Sequence, residues 1–325
     1  MKKLEVIFNA FLNNQIVCTD TRSIAAGCIY FALKGERFNG NEFAAKALEL
    51  GASVVVVDEE VEALQNDSRV IVVEDSLRAL QDLAKLYRKT FQFPVLAITG
   101  SNGKTTTKEL IREVLSKKFK VYATEGNLNN HIGVPLSLLR VPKNCEFAII
   151  EMGANHQGEI ASYCEIALPD YGLITNIGKA HLEGFGGVPG IIKGKGELFD
   201  SLRERGKVAF VNIELPHLES MIKGMNYTAY GFEQDGMQIQ LMKESPTISF
   251  IFKTGNSLVW QECETNLAGT YNLYNVASAI AVGRYFEVEM NLISDAITSY
   301  APNNNRSQLW KSDNNEVILD AYNAN

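Results

Sequence analysis

The stretch in which potential chemistry is most concentrated is Thr99-Gly100-Ser101-Asn102-Gly103-Lys104-Thr105-Thr106-Thr107. The apolar run 95–98 leads into it. Residues 108–115 lead out, with Leu110, Ile111, Val114 and Leu115 on one helical face. Strand, glycine loop, Lys-Thr and helix is the layout of a phosphate-binding loop. Its glycines let the backbone approach a phosphate chain, and the amides of the loop and of the helix N-terminus point at the anion. In that layout Gly100, Ser101, Asn102, Gly103 and Thr106 line the cradle. Lys104 reaches the distal phosphates, and the Thr105 hydroxyl ligates Mg²⁺. The general pattern asks for a glycine where this chain has Ile98. The competing reading is an ordinary strand-to-helix turn.

Three further segments carry groups that could serve such a site. The apolar run 147–150 ends in Glu151, a carboxylate at the C-terminal end of a buried strand, placed to hold a nucleotide's Mg²⁺. Residues 171–175 form a strand followed by Asn176, Gly178, Lys179 and His181. A lone histidine is more often structural than a ligand. This one follows a strand end as Glu151 does, so both could converge on one metal. The helix 191–202 carries Lys193, Lys195 and Glu197, which by themselves read as a solvated charged face. Gly269-Thr270-Tyr271-Asn272 opens a helix through Ala277, Ala279 and Ala281, and Asn272 and Asn275 near its start can cap it or touch a ligand.

The elements that must position these groups follow from length and pattern. A chain of 325 residues with 46% hydrophobic content has material for two or three domains. The formal net charge of −7 argues against nonspecific nucleic-acid binding. No apolar run reaches the roughly 20 residues that span a bilayer, so no membrane insertion is expected. Five scattered cysteines without paired spacing suggest reduced thiols and a cytoplasmic protein. The expected fold class is α/β. Residues 1–84 form a small α/β unit, with strands near 28–33, 53–57 and 70–73 and helices at 42–50 and 76–89. Residues 85–301 form a larger, mostly parallel-sheet domain with the phosphate loop and an antiparallel appendage between about 226 and 265. Residues 302–325 read as the start of a further domain, and this chain as part of a longer protein. In the first unit, Thr21 and Arg22 precede a strand, while Lys34 and Gly35 follow one. Turn chemistry explains both as readily as anion binding does.

Taken jointly, these motifs resemble the Mur ligase family over the whole chain. Residues 99–106 look like the family's T-G-x-N-G-K-T-T loop, which accounts for Ile98. Asn127-Leu128-Asn129-Asn130 with Gly133 and Pro135 resembles its N-x-N-N-x-x-G-x-P block. Glu151-Met152-Gly153-Ala154 resembles the form found in the branch that adds D-alanyl-D-alanine to a UDP-N-acetylmuramoyl tripeptide. The segment around His181 resembles the metal-binding histidine motif, and Lys195-Gly196-Glu197-Leu198-Phe199 the segment whose lysine is carbamylated. Tyr271 stands where the family more often has His, and Asn39 and Asn41 stand where relatives often carry Asp and His.

The resemblance implies an ATP- and Mg²⁺-dependent peptide ligase of peptidoglycan precursor synthesis that works through an acyl phosphate and is a monomer. It implies that Lys104, His181 and a carbamylated Lys195 are catalytic. Thr105, Glu151, His181 and Lys195 would attend the metal. Asn275 would meet adenine, Arg306 the γ-phosphate and Asp320 the ribose. Thr21, Arg22, Lys34, Gly35, Asn129 and Asn130 would bind the UDP substrate. The C-terminal domain of the family closes over ATP, so this chain is expected to keep UDP-substrate binding and to be impaired in turnover. A plain phosphate-loop NTPase or kinase, and another amide ligase of the family or a folylpolyglutamate synthetase, are the alternatives.

Overall fold

The computed structural model describes residues 2–233, 236–255, 257–302, 306, 308–311 and 315–319. The chain forms two compact units. The first comprises Met1–Gln92, Thr124–Pro142 and Glu165–Leu168, and the second Phe93–Ala123, Lys143–Cys164 and Pro169–Asn325.

In the first unit, α1 (Lys2–Asn14) precedes a parallel sheet of β1 (Val17–Cys18), β2 (Ile29–Phe31), β3 (Val54–Val57) and β4 (Val70–Val72), in that order. The sheet's β-branched and aromatic runs bury Tyr30, Val55 and Val57 against α2 (Ala44–Glu49). Helix α3 (Ser76–Arg88) is N-capped by Asp75, whose side chain accepts from the Arg78 amide. Its leucine stripe buries Leu80 and Leu83.

Two late segments close on α3. The Tyr87 hydroxyl donates to the Val141 carbonyl at 2.8 Å, and the Arg88 guanidinium donates to the carbonyls of Ala167 and Leu168 at 2.8 Å each. These bonds explain why the first unit runs to Gln92 instead of ending at 84, and why it reclaims the Asn127–Asn130 block assigned above to the central domain. The sequence reading also passed over α1, which buries Ile7 and Phe11.

The second unit is built on a six-stranded parallel sheet. Its strands, in chain order, are β5 (Val95–Thr99), β6 (Val121–Ala123), β7 (Phe147–Glu151), β8 (Tyr171–Ile174), β9 (Val208–Asn212) and β10 (Asn226–Tyr230), and their spatial order is β10-β9-β8-β5-β7-β6. The chain first fills the side of β5 that holds β7 and β6, then crosses to β8. The strand order therefore reverses at β5, and the crevice for ligands in such a sheet lies at the carboxyl ends of the strands beside that reversal. The loops after β5, β7 and β8 meet there.

One sheet face is covered by α4 (Lys104–Leu115), α7 (Asn272–Tyr285) and α8 (Met290–Ser299). They share a core with an antiparallel sheet of β11 (Met237–Lys243), β12 (Ser249–Thr254) and β13 (Gln261–Glu264). Between β7 and β8 the chain forms α5 (Glu159–Ala167), and α6 (Val188–Glu204) precedes β9.

The appendage differs from its expected extent. Residues 226–230 form the parallel edge strand β10 instead of opening the appendage, whose last strand is Gln261–Glu264. Alternation over five residues marks a strand with one exposed face but does not say which sheet it joins. Gln308–Lys311 and Glu316–Leu319 pair as an antiparallel hairpin grouped with the second unit. Asp320 and the residues after it lie outside the described residues.

Helix α7 approaches α4 through small residues. A Cβ on Gly283 would lie 2.5 Å from Val114 Cγ1 and 3.0 Å from Ile293 Cδ1. Gly283→Ala gains up to about 1 kcal/mol of helix propensity, but overpacking costs roughly 1–3 kcal/mol. A net loss of about 1–2 kcal/mol is expected as a lower urea midpoint, and an unchanged or raised midpoint would show that the helices move apart freely.

Candidate functional site

The phosphate loop leaves the end of β5 under tight constraint. Gly100 has φ +145°, and a Cβ there would lie 1.9 Å from Thr175 Oγ1. Gly103 has φ +77°, and its Cβ would lie 2.5 Å from Asn275 Oδ1. Only glycine meets both demands. Ile98, where the general motif expects glycine, is wholly buried inside β5 and paired with Glu151 and Leu173. The extra glycine has no place there because that position belongs to the sheet.

The loop is braced by the segment after β8. The Ser101 amide donates to the Asn176 carbonyl at 3.1 Å, and the Asn102 amide to Asn176 Oδ1 at 3.0 Å. Ser101 Oγ receives the Gly178 amide at 2.9 Å. These two loop amides therefore face the brace, not an anion as expected above. The amides left to meet an anion are those of the first turn of α4, which lack carbonyl partners one turn back. Thr106 is buried in that turn. Lys104 is half-buried and folds over its own loop, donating to the carbonyls of Gly100 at 2.8 Å and Ser101 at 3.2 Å. Burial lowers the pKa of Lys104, the Glu151 carboxylate opposes that, and the Arg306 charge adds to it.

Thr105 and Glu151 come together: Thr105 Oγ1 lies 3.3 Å from Glu151 Oε1, and both side chains are buried. A hydroxyl and a carboxylate are hard oxygen donors, the set that suits Mg²⁺. Behind them stands Lys108, fully buried, with Nζ 3.9 Å from Glu151 Oε2 and 3.0 Å from Glu109 Oε1. Sequence reasoning missed Lys108. The available signal was its place in the apolar stripe with Ile111 and Leu115, three and seven residues on.

Lys195 is not on a solvated face. It is 2% exposed, its Nζ donates to the Ala154 carbonyl at 3.2 Å, and the ammonium lies 5.1 Å from the Phe185 ring centroid. Burial, aided by the Lys104 charge and opposed by Glu159 and Glu197, pushes its pKa down to about 7. Glu197, half-buried, accepts from the amides of Gly158 and Ala161 and so anchors the start of α5. His181 sits at positive φ (+56°) at the start of the short helix Leu182–Phe185 and is exposed. Partial burial and the charges of Lys195 and Lys104 lower its pKa, which keeps the imidazole neutral at pH 7. Among the described residues no cluster of three or more His, Cys, Asp and Glu side chains could hold a metal ion by itself.

The first unit holds the other candidates. Asp20 caps the turn Thr21–Ser23, and the exposed Arg22 guanidinium grips its carboxylate, holding its pKa at about 2. Thr21 is half-buried in that turn. Lys34 ion-pairs with Asp58 and Glu59 at 2.9 Å each, beside exposed Gly35. Asn41 and Asn39 complete this cluster with bonds to Asp58 at 2.7 Å and Glu59 at 3.0 Å. The exposed Asn130 turns its Oδ1 to the amides of Ile132 and Gly133, at 3.1 and 2.8 Å, and so starts the Gly133–Leu139 helix. Asn129 is half-buried beside it. Among the described residues no helix is long and apolar enough to cross a membrane.

A phosphate loop at the reversal point of a parallel sheet, with a buried Thr-Glu pair beside it, defines a nucleotide-binding α/β protein. Comparison with known proteins narrows the class. Residues 98–283 match the Mur ligase middle domain, and residues 14–88 match the Mur ligase family catalytic domain. The chain belongs to the Mur ligase family. It is 36% identical over 313 residues to the UDP-N-acetylmuramoyl-tripeptide–D-alanyl-D-alanine ligase of Bacillus subtilis, covering 95% of this chain and 67% of that one. It is 34% identical over 316 residues to the enzyme of that name from Escherichia coli, covering 95% and 69%. Among solved structures it resembles MurF from Acinetobacter baumannii, with TM-score 0.84, 32% identity and coverage of 95% and 68%. It also resembles MurF from Thermotoga maritima in complex with ADP, with TM-score 0.82, 29% identity and coverage of 95% and 71%. The chain thus spans about two thirds of the length of these relatives.

The buried Lys195 amine makes a signed prediction. Its folded pKa is about 7 against an ordinary 10.5. Between those values the unfolded chain binds more protons, so the group's contribution to stability rises with pH through that window. In carbonate-free buffer, the stability advantage of Lys195→Met over the native chain should be greatest below pH 7 and shrink towards pH 10.5, read from urea midpoints. A pH-independent difference would mean that Lys195 keeps its ordinary pKa.

Proposed function

We propose that this chain carries out ATP-dependent peptide-bond formation, adding D-alanyl-D-alanine to a UDP-N-acetylmuramoyl tripeptide in peptidoglycan precursor synthesis. The observation that supports it most directly is the buried Thr105–Glu151 pair at the mouth of a phosphate loop, in a chain whose relatives bear that ligase name.

A peptide carboxylate is a poor acyl donor. Attack of its oxygen on the γ-phosphorus of ATP forms an acyl phosphate and releases ADP. The amine of D-alanyl-D-alanine then adds to the acyl carbon, and the tetrahedral adduct expels phosphate. Phosphoryl transfer of this kind depends on positioning and charge neutralisation. The first turn of α4 supplies amides to the phosphates, and Lys104 turns from its own loop carbonyls to the γ-phosphate. Arg306, whose charge is felt at Lys104, supports the same end of the nucleotide. Mg²⁺ would be held by Thr105 and Glu151, and when bound it neutralises phosphate charge. Neutral His181 offers a nitrogen lone pair on the β8 side.

Lys195 fits a carbamate: an amine with a pKa near 7 is substantially neutral and nucleophilic towards CO₂, and the product is an anionic oxygen donor. In the first unit, Thr21, Arg22, Lys34, Gly35, Asn129 and Asn130 are the groups proposed for the UDP substrate. Lys34 would share its charge between its carboxylate partners and the substrate.

The test is ADP release with each substrate omitted in turn, together with a calorimetric titration of the UDP-tripeptide. ADP formation should require the tripeptide, and Lys104→Met and Glu151→Gln should each lower kcat/KM by about 100-fold or more. Tripeptide-independent ATP hydrolysis, or failure to bind the UDP substrate, would replace the ligase reading with a plain NTPase. For the carbamate, isotope-labelled bicarbonate should give a carbamate resonance that Lys195→Ala lacks. A short carboxylic acid, not bicarbonate, should partly restore that variant. Full activity in Lys195→Ala would remove the carbamate.

A further inference from the structure

A buried polar chain joins the phosphate-loop helix to the start of α7. Thr107 Oγ1 lies 3.0 Å from Asn275 Oδ1, Asn275 Nδ2 lies 2.8 Å from Asn272 Oδ1, and Asn272 Nδ2 lies 2.8 Å from the Ala268 carbonyl oxygen. Thr107 and Asn272 are wholly buried, and Asn275 is 6% exposed. The direction of every bond follows from one end. A backbone carbonyl can only accept. Asn272 therefore turns its nitrogen to Ala268 and its oxygen to Asn275. Asn275 must answer with its nitrogen, which leaves its oxygen facing Thr107. The Thr107 hydroxyl must then donate. The same Asn275 oxygen would be 2.5 Å from a Cβ on Gly103, so the carboxamide lies directly against the phosphate loop.

We propose that Thr107 is a positioning residue for base recognition, acting through Asn275. Its hydroxyl holds the Asn275 oxygen inward, so the carboxamide meets a purine with an N–H, a donor suited to a ring-nitrogen acceptor. Without that hydroxyl Asn272 alone still turns the Asn275 nitrogen inward, and the carboxamide loses the second contact that fixes its tilt towards the base. The inference rests on the nucleotide-site reading given above and assigns a role to Thr107 that the phosphate-loop motif does not.

The experiment is calorimetric titration of the full chain with ADP and, separately, with inorganic tripolyphosphate, which carries phosphates but no base. Thr107→Val keeps the shape and loses the donor, and Thr107→Ser keeps the donor. Thr107→Val should bind ADP about tenfold more weakly and tripolyphosphate as the native chain does, while Thr107→Ser should bind ADP within about twofold of native. Thr107→Ala provides the same readout should the valine variant not fold. Native ADP affinity in Thr107→Val or Thr107→Ala would overturn the proposal. Equal weakening towards both ligands would overturn it too, because the hydroxyl would then act on the loop's shape. A native chain that binds neither ligand would instead overturn the nucleotide-site reading itself.

Discussion

The close approach of Gly100 to Thr175 governs the second unit's site. It brings the phosphate loop within side-chain range of the strand on the other side of the reversal point, and it allows no side chain between them. Once the loop is there, Asn176 and Gly178 can brace it by backbone and side-chain bonds. The brace consumes two loop amides and holds the rest of the turn in place before any anion arrives. Fixed dipoles that need no reorganisation are worth more to a charged ligand than mobile ones. On the other side of β5, the ladder pairing of Ile98 with Glu151 puts the carboxylate level with the loop.

Buried charge is the second organising feature. Lys108, Glu151 and Lys195 are each almost wholly out of solvent, in a family of sites where most charged side chains stay exposed. The first two answer one another at 3.9 Å, and Glu109 takes the other side of Lys108. Lys195 is treated differently. It has a carbonyl and an aromatic face rather than a carboxylate, and its amine gives up its proton near neutrality. One lysine thus sits against carboxylates behind the Thr105–Glu151 pair, and the other is held by a carbonyl and a ring.

The phosphate loop, Glu151 and the parallel sheet were legible because glycine spacing and apolar runs report backbone geometry directly. Lys195 was legible only through resemblance, since Lys193, Lys195 and Glu197 share a charged spacing and only packing reveals that the middle one is inside. The later segments of the first unit were not legible because Tyr87 and Arg88 find their partners some 50 and 80 residues later, and no local pattern encodes such returns. Lys34 read as a bare cation near a glycine, but the carboxylates that hold it come from a distant strand end.

The basic groups of the site also report on what it is for. Lys104 is lowered by burial and by Arg306, His181 by burial and by Lys195 and Lys104, and Lys195 by burial and by Lys104. Each therefore titrates lower in part because another cation is near. Packing that brings like charges together costs stability, and nearby Glu151, Glu159 and Glu197 offset only part of it. A polyanion adds an attraction to each of these groups that opposes the repulsion and raises each pKa. A braced helix N-terminus with the Lys104 ammonium beside it is the electrostatic form that a polyphosphate complements.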